Sequence, residues 1–114
     1  MLAIVYDHSI SSDGSPSKQP EHAKLEQEMR AKGHYVSGGG LAPVGMFVKS
    51  VKHEGGQAVV TDGPFAETRE VLGGYYVVEC SETEAVEWAK RIPVDNRSHV
   101  QVRLLGIYRP LEPA

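Results

Sequence analysis

Between Leu72 and Glu79 the chain runs Leu-Gly-Gly-Tyr-Tyr-Val-Val-Glu, and this stretch constrains the fold more than any other. Aromatic and β-branched residues dominate it, so it predicts a strand. Side chains along a strand alternate between faces, which sends Tyr75 and Val77 one way and Tyr76, Val78 and Cys80 the other. Both sets are apolar. Such a strand needs cover on both faces.

The rest of the chain supplies cover for one face. Leu2-Ala3-Ile4-Val5-Tyr6 is a short apolar run that predicts a central strand, and the Ser, Gly and Pro of residues 9–18 predict an exposed loop. Pro20 suits the first helical position and Gly33 a left-handed cap, so a first helix is expected from Pro20 to Lys32, with His22, Leu25 and Met29 sharing a face. His34-Tyr35-Val36 predicts a second strand that the triple glycine Gly38-Gly39-Gly40 ends. Residues 46–52 and 57–61 flank Glu54-Gly55-Gly56, a hairpin turn sequence. Ser81 and Glu84 form a capping box, Ala85, Trp88, Ala89 and Ile92 form an apolar stripe, and Pro93 stops this second helix. Val100, Val102 and Leu104 alternate with Gln101 and Arg103, giving a last strand to about Ile107.

The order strand, helix, strand, hairpin, strand, helix, strand is that of an α+β, ferredoxin-like split βαβ fold with an inserted β-hairpin. Residues 1–114 form a single domain, with 108–114 as a tail; a chain of 114 residues has room for one core. Two helices cover one face of the sheet, so a second copy packed sheet to sheet is expected on the other, making a homodimer.

Charge and composition exclude several classes. Twelve Lys and Arg against fifteen Asp and Glu leave a net charge of −3, which argues against a nucleic-acid surface. The lone Cys80 permits no internal disulfide and no cysteine zinc cage. No apolar stretch approaches the roughly 18 residues of a membrane span and no signal peptide is visible, so a cytoplasmic protein without membrane contact is expected. The five histidines show no H-x-x-x-H spacing, so no metal is expected. Gly38-Gly39-Gly40 precedes no helix and has no Lys-Ser or Lys-Thr partner, which argues against a phosphate loop, and no cofactor is expected.

The most specific motif is Asp62-Gly63-Pro64-Phe65-Ala66-Glu67-Thr68-Arg69-Glu70 followed by Leu72-Gly73-Gly74-Tyr75-Tyr76. With the helix containing Ala85, Trp88 and Ala89 and the closing Val100-Gln101-Val102-Arg103, it resembles the DGPF-domain branch of the YCII-related family over nearly the whole chain. Arg69 departs from the pattern, standing where that family commonly has Lys. The resemblance implies a dimeric α+β barrel of ferredoxin-like subunits. It also implies an acid/base pair between a His near the start of helix one and a nearby Asp. His22 matches that histidine, and Asp62 is the candidate carboxylate. Some branches of the family are associated with breakdown of small aromatic compounds. DGPF genes often lie beside those of alternative sigma factors, which implies a regulatory setting.

Each candidate has a functional and a structural reading. The positive start of a helix disfavours an imidazolium, so His22 is expected neutral and able to take a proton; the competing reading is a polar residue at the rim of the core. Asp62 precedes Gly63 and suits either an orienting carboxylate or a turn starter bonded to nearby amides. His8, at the end of the first strand, Phe65, Glu67 and Arg69 are the candidate substrate contacts. The expected activity is cofactor-independent elimination, isomerisation or hydrolysis of a small metabolite by His22 and Asp62. The alternative is a non-catalytic small-molecule-binding or regulatory module that acts through a protein partner in a sigma-factor system.

Overall fold

A computed structural model describes residues 1–11, 13–14, 16–65 and 67–109. Its elements are β1 (Leu2–Asp7), α1 (Gln19–Ala31), β2 (Tyr35–Gly40), β3 (Lys49–Glu54), β4 (Gln57–Asp62), β5 (Glu70–Val78), α2 (Glu82–Arg91) and β6 (Ser98–Val102). Four strands form an antiparallel sheet in the order β2-β5-β1-β6, while β3 and β4 pair separately across a turn at Gly55 and Gly56. Two helices and this strand order make an α+β fold of ferredoxin-like type.

Both helices pack on one face of the sheet. Leu25 and Met29 lie one turn apart on α1 and are 4% and 0% exposed. Each such side chain removed from water contributes about 1.5–3 kcal/mol. They meet Leu2, Tyr76, Trp88 and Ile92 in a single cluster, against which Ile4, Val78, Cys80 and Val100 also pack. Helix α2 starts on its capping box: the Ser81 hydroxyl accepts from the Glu84 amide, and the Glu84 carboxylate accepts from the Ser81 amide. The Trp88 indole N–H donates to His34 Nδ1 at 2.9 Å, giving the buried ring's polar atom a partner.

Register assigns the other face. Leu2 pairs with Tyr76 and Val102, and Ala3 with Tyr75 and Gln101, so Ala3, Val5, Tyr75 and the sheet positions beside them lie away from the helices. A β-bulge opposite Ile4 and Val5 leaves Gly73 without a partner on β1.

Several boundaries differ from the sequence expectation, among them the first hairpin strand, which is Lys49–Glu54 rather than 46–52, and β5, which begins at Glu70 rather than Leu72. The triple glycine does not end β2 but completes it: Gly38, Gly39 and Gly40 pair with Tyr76, Tyr75 and Gly74 of β5, whose backbone supplies the hydrogen bonds that a poor strand sequence does not secure by itself. The last strand stops at Val102 rather than near Ile107: its neighbour among the described strands, β1, begins at Leu2, and beyond Val102 the pairing continues only as the Arg103 amide donating to the Met1 carbonyl and the Met1 amino group to the Arg103 carbonyl. Of the expected tail, residues 110–114 lie outside the described residues.

Candidate functional site

The glycines of β2 and β5 shape the main hollow of the chain. A Cβ on Gly38 would stand 3.1 Å from the Tyr35 hydroxyl and from the Tyr75 carbonyl oxygen, and one on Gly74 would stand 3.1 Å from the Gly39 carbonyl oxygen. At the bulge, a Cβ on Gly73 would meet the Tyr6 ring at 3.0 Å. A side chain at these positions would crowd its neighbours, and the glycines leave backbone open beside the first turns of α1. The result is an open cleft of about 490 Å³ between α1 and this glycine floor. A cleft of that size suits a small molecule.

His22 projects into the cleft from the first turns of α1, where Pro at the second position and the Lys18 carbonyl, which accepts from the His22 amide at 3.0 Å, set the start of the helix. Its Nδ1 lies 2.6 Å from the Tyr76 hydroxyl, and the two rings stack with centroids 5.9 Å apart. Tyr76 is anchored by the core, at 7% exposed, so its hydroxyl is a fixed partner. Tyr35 crosses Tyr76 edge to face, and the Arg30 guanidinium lies over the Tyr35 ring while bonding Glu26.

Burial sets the protonation of this group. It holds the His22 imidazole below its ordinary range; the charge of Glu21 opposes the shift and that of Lys18 adds to it. Burial, with the charge of Glu26 and the neighbouring Tyr35, pushes the Tyr76 phenol up to about 12. Near neutral pH the pair is therefore an uncharged imidazole and an intact phenol. A hydroxyl both donates and accepts, so it supports either tautomer of the ring. With the phenol donating to Nδ1, Nε2 carries the proton and offers it to the cleft. With Nδ1–H donating to the phenol oxygen, Nε2 is bare and can accept one. A carboxylate partner would hold the second form and raise the ring's basicity instead.

The expected His22–Asp62 hydrogen bond is not made within the chain. Asp62 ends β4 on the two-stranded sheet, its carboxylate 85% exposed and paired with Lys49 of β3, and it does not line the cleft. Gly63 follows with φ of 78°, its amide donating to the Val48 carbonyl, so the Asp-Gly pair closes the base of the hairpin.

The other candidates also lie outside the cleft lining. A His8 ring nitrogen, Nε2, sits 2.6 Å from the Thr68 carbonyl oxygen and so donates to it, and the His8 amide donates to the Arg69 carbonyl, tying the end of β1 to the motif loop. Phe65 is partly exposed beneath the Lys52 ammonium, and Glu67 and Arg69 are exposed. In their place the lining has Glu26, Tyr35 and Tyr76 with His22, and Tyr6 and Arg97 farther along the cleft. Tyr76 carries no local signal of this contact, since its partner is 54 residues away; its position on the helix-facing side of β5 is the only cue in the sequence. Among the described residues no three of His, Cys, Asp or Glu gather in a way that could hold a metal ion. No helix among them is long and apolar enough to cross a membrane.

A ferredoxin-like α+β chain with a histidine at the mouth of a glycine-floored cleft defines a class of small single-domain proteins. The model of the YCII-related domain matches residues 1–105, and the chain belongs to that family. It is similar to an uncharacterized protein of Rhizobium meliloti (strain 1021), 33% identical over 114 residues that span 93% of this chain and 90% of the relative.

Proposed function

We propose that this protein, a DGPF-type member of its family, is a cofactor-independent acid/base catalyst acting on a small metabolite, with His22 moving the proton. The observation that carries this is the 2.6 Å contact between His22 Nδ1 and the Tyr76 hydroxyl inside an open cleft. Nε2 makes no hydrogen bond among the described residues and so is left for a ligand. Tyr76 holds the ring in the chain's own cleft through Nδ1, and Asp62 serves the hairpin base through Lys49. A neutral ring with Nδ1–H on the phenol oxygen is the form able to abstract a proton at Nε2, and the imidazolium it becomes can return that proton from the same nitrogen. Removal from one carbon with return to another is an isomerisation; removal from carbon with return to a departing group is an elimination.

The working unit of this proposal is a cytoplasmic homodimer, a dimeric α+β barrel in which the hairpin is an insertion into the ferredoxin-like frame. Its support is the apolar surface that one chain leaves in water: Leu104 is 97% exposed and Phe47 78% exposed. Sedimentation at micromolar concentration is expected to give a dimer, and a stable monomer would remove this part.

Turnover is tested by incubating the protein in heavy water with a panel of small cyclic ketones, lactones and hydroxylated aromatic compounds that have an acidic C–H. Wild type is expected to place deuterium into at least one of them far faster than the His22→Asn variant. Equal exchange by both proteins, or none by either across the panel, would remove His22 from the chemistry.

A further inference from the structure

Among the described residues that line the cleft, Arg97 is the cation at the end away from His22, and nothing in the acid/base reading uses it. It precedes β6, where its carbonyl accepts from the Asp7 amide, and its guanidinium lies over the Tyr6 ring with 5.0 Å to the centroid. Asp95 takes only the Nε–H, at 3.2 Å, and spends its remaining acceptor capacity on the Arg97 amide and the Ser98 hydroxyl. The two terminal nitrogens of Arg97 therefore have no hydrogen-bond partner among the described residues. The side chain is 29% exposed, so it is held in place by a stacked ring and a carboxylate rather than swept through solvent. A planar fork with both outer nitrogens free matches a carboxylate.

The register gives the distance between the two ends. Tyr76 pairs with Leu2, and Ser98 pairs with Tyr6, so the His22 end and the Arg97 end are four residues apart along β1, roughly 13 Å at the usual strand rise. Between them lie Gly73 and Gly74, flanked by the Tyr6 ring and the Ile4 side chain, which give the ligand an apolar wall. Glu26 stands with Tyr35 and Tyr76 at the His22 end, where its charge repels an anion. The two charges therefore give the cleft a direction.

We infer that the cleft takes a small organic acid, its carboxylate received by the free fork of Arg97 and its apolar body laid along the glycine floor toward His22. This rests on the acid/base reading for what happens at the far end of the ligand, while the anion site stands on Arg97 alone. Arg97 is then a binding residue that sets which molecules enter and which way round, and substrates without a carboxylate are disfavoured.

Benzoate and its neutral isostere benzamide are the probes, titrated into the full chain while the Arg97 Nε–H and the His22 ring are followed by NMR. Benzoate is expected to saturate both signals at millimolar concentration, with benzamide at least tenfold weaker. Arg97→Gln is expected to weaken benzoate at least tenfold. Arg97→Lys keeps a cation beside Asp95 but removes the fork, and a loss of threefold or more is expected there; it carries the test if the Gln variant is unfolded by circular dichroism. Equal response to benzoate and benzamide, or unchanged benzoate affinity in the folded Arg97 variants, would overturn the inference. His22→Asn separates the two readings. It is expected to bind benzoate within about threefold of wild type, and affinity lost there but kept on changing Arg97 would place the anion at His22 and overturn the inference without touching the acid/base reading.

Discussion

Replacing Tyr76 with Phe removes one oxygen and leaves the ring in the core, where it packs with Leu2, Leu25, Met29 and Trp88. Cavity and transfer terms are therefore small, and the loss is that of the hydrogen bond to His22 Nδ1. A neutral hydrogen bond contributes about 1 kcal/mol net, and more when its partner is left dry and unpaired. Here the cleft is open, so water can reach the freed nitrogen, and a cost of about 1 kcal/mol is expected. For a chain of this size that lowers Tm by roughly 4 °C. The phenol bonds Nδ1, so its removal should also shift the Nδ1 resonance, while burial continues to hold the ring below its ordinary range. Urea denaturation with NMR titration of the His22 ring reads both effects. A variant as stable as wild type, with an unmoved Nδ1 resonance, would refute the pairing of these two groups.

Three further predictions follow from the same structure. Gly38→Ala should cost about 1–3 kcal/mol, because the new Cβ meets the Tyr75 carbonyl oxygen and the Tyr35 hydroxyl at 3.1 Å, whereas Gly40→Ala, with open space around it, should stay within about 0.5 kcal/mol of wild type; equal stability of the two in urea would contradict the crowded floor. Since the folded His22 has a lower pKa than the unfolded one, the unfolded chain binds more protons on acidification. This contribution to stability is complete above about pH 6.5 and is lost as pH falls through the folded value, so the wild-type minus His22→Asn difference in unfolding free energy should fall between about pH 7 and pH 5; a flat difference counts against the buried neutral ring. Ser81→Ala removes the α2 cap and should cost about 1 kcal/mol, measured by thermal melting.

What the sequence made legible was decided locally. Ser81 and Glu84 sit three residues apart and need only each other, and the stripe through Trp88 and Ile92 needs only the period of a helix; both are found as expected. Leu25 and Met29 follow the same rule on α1. The glycines of β2 were misread for the same reason. Taken alone, Gly38-Gly39-Gly40 is a strand ender, and only the pairing with Tyr76, Tyr75 and Gly74 turns it into an edge strand. The cleft follows from that pairing, since bare backbone has to face bare backbone before a floor exists. His22 was visible as the polar member of an apolar helix face, but its partner Tyr76 and the Arg97 that lines the same cleft join it through tertiary structure, and no spacing in the chain announces either. Asp62 drew attention through a motif that, within one chain, shapes the hairpin base.

The central claim is that the His22 ring sits in the cleft uncharged and hydrogen-bonded to Tyr76. Nitrogen-detected NMR of the ring across a pH titration of wild type tests it most directly. The account predicts a neutral imidazole at neutral pH, a titration midpoint below the ordinary histidine value, and an Nδ1 signal that changes on Tyr76→Phe. A midpoint at or above about 6.5, with Nδ1 indifferent to the loss of the phenol, would contradict it.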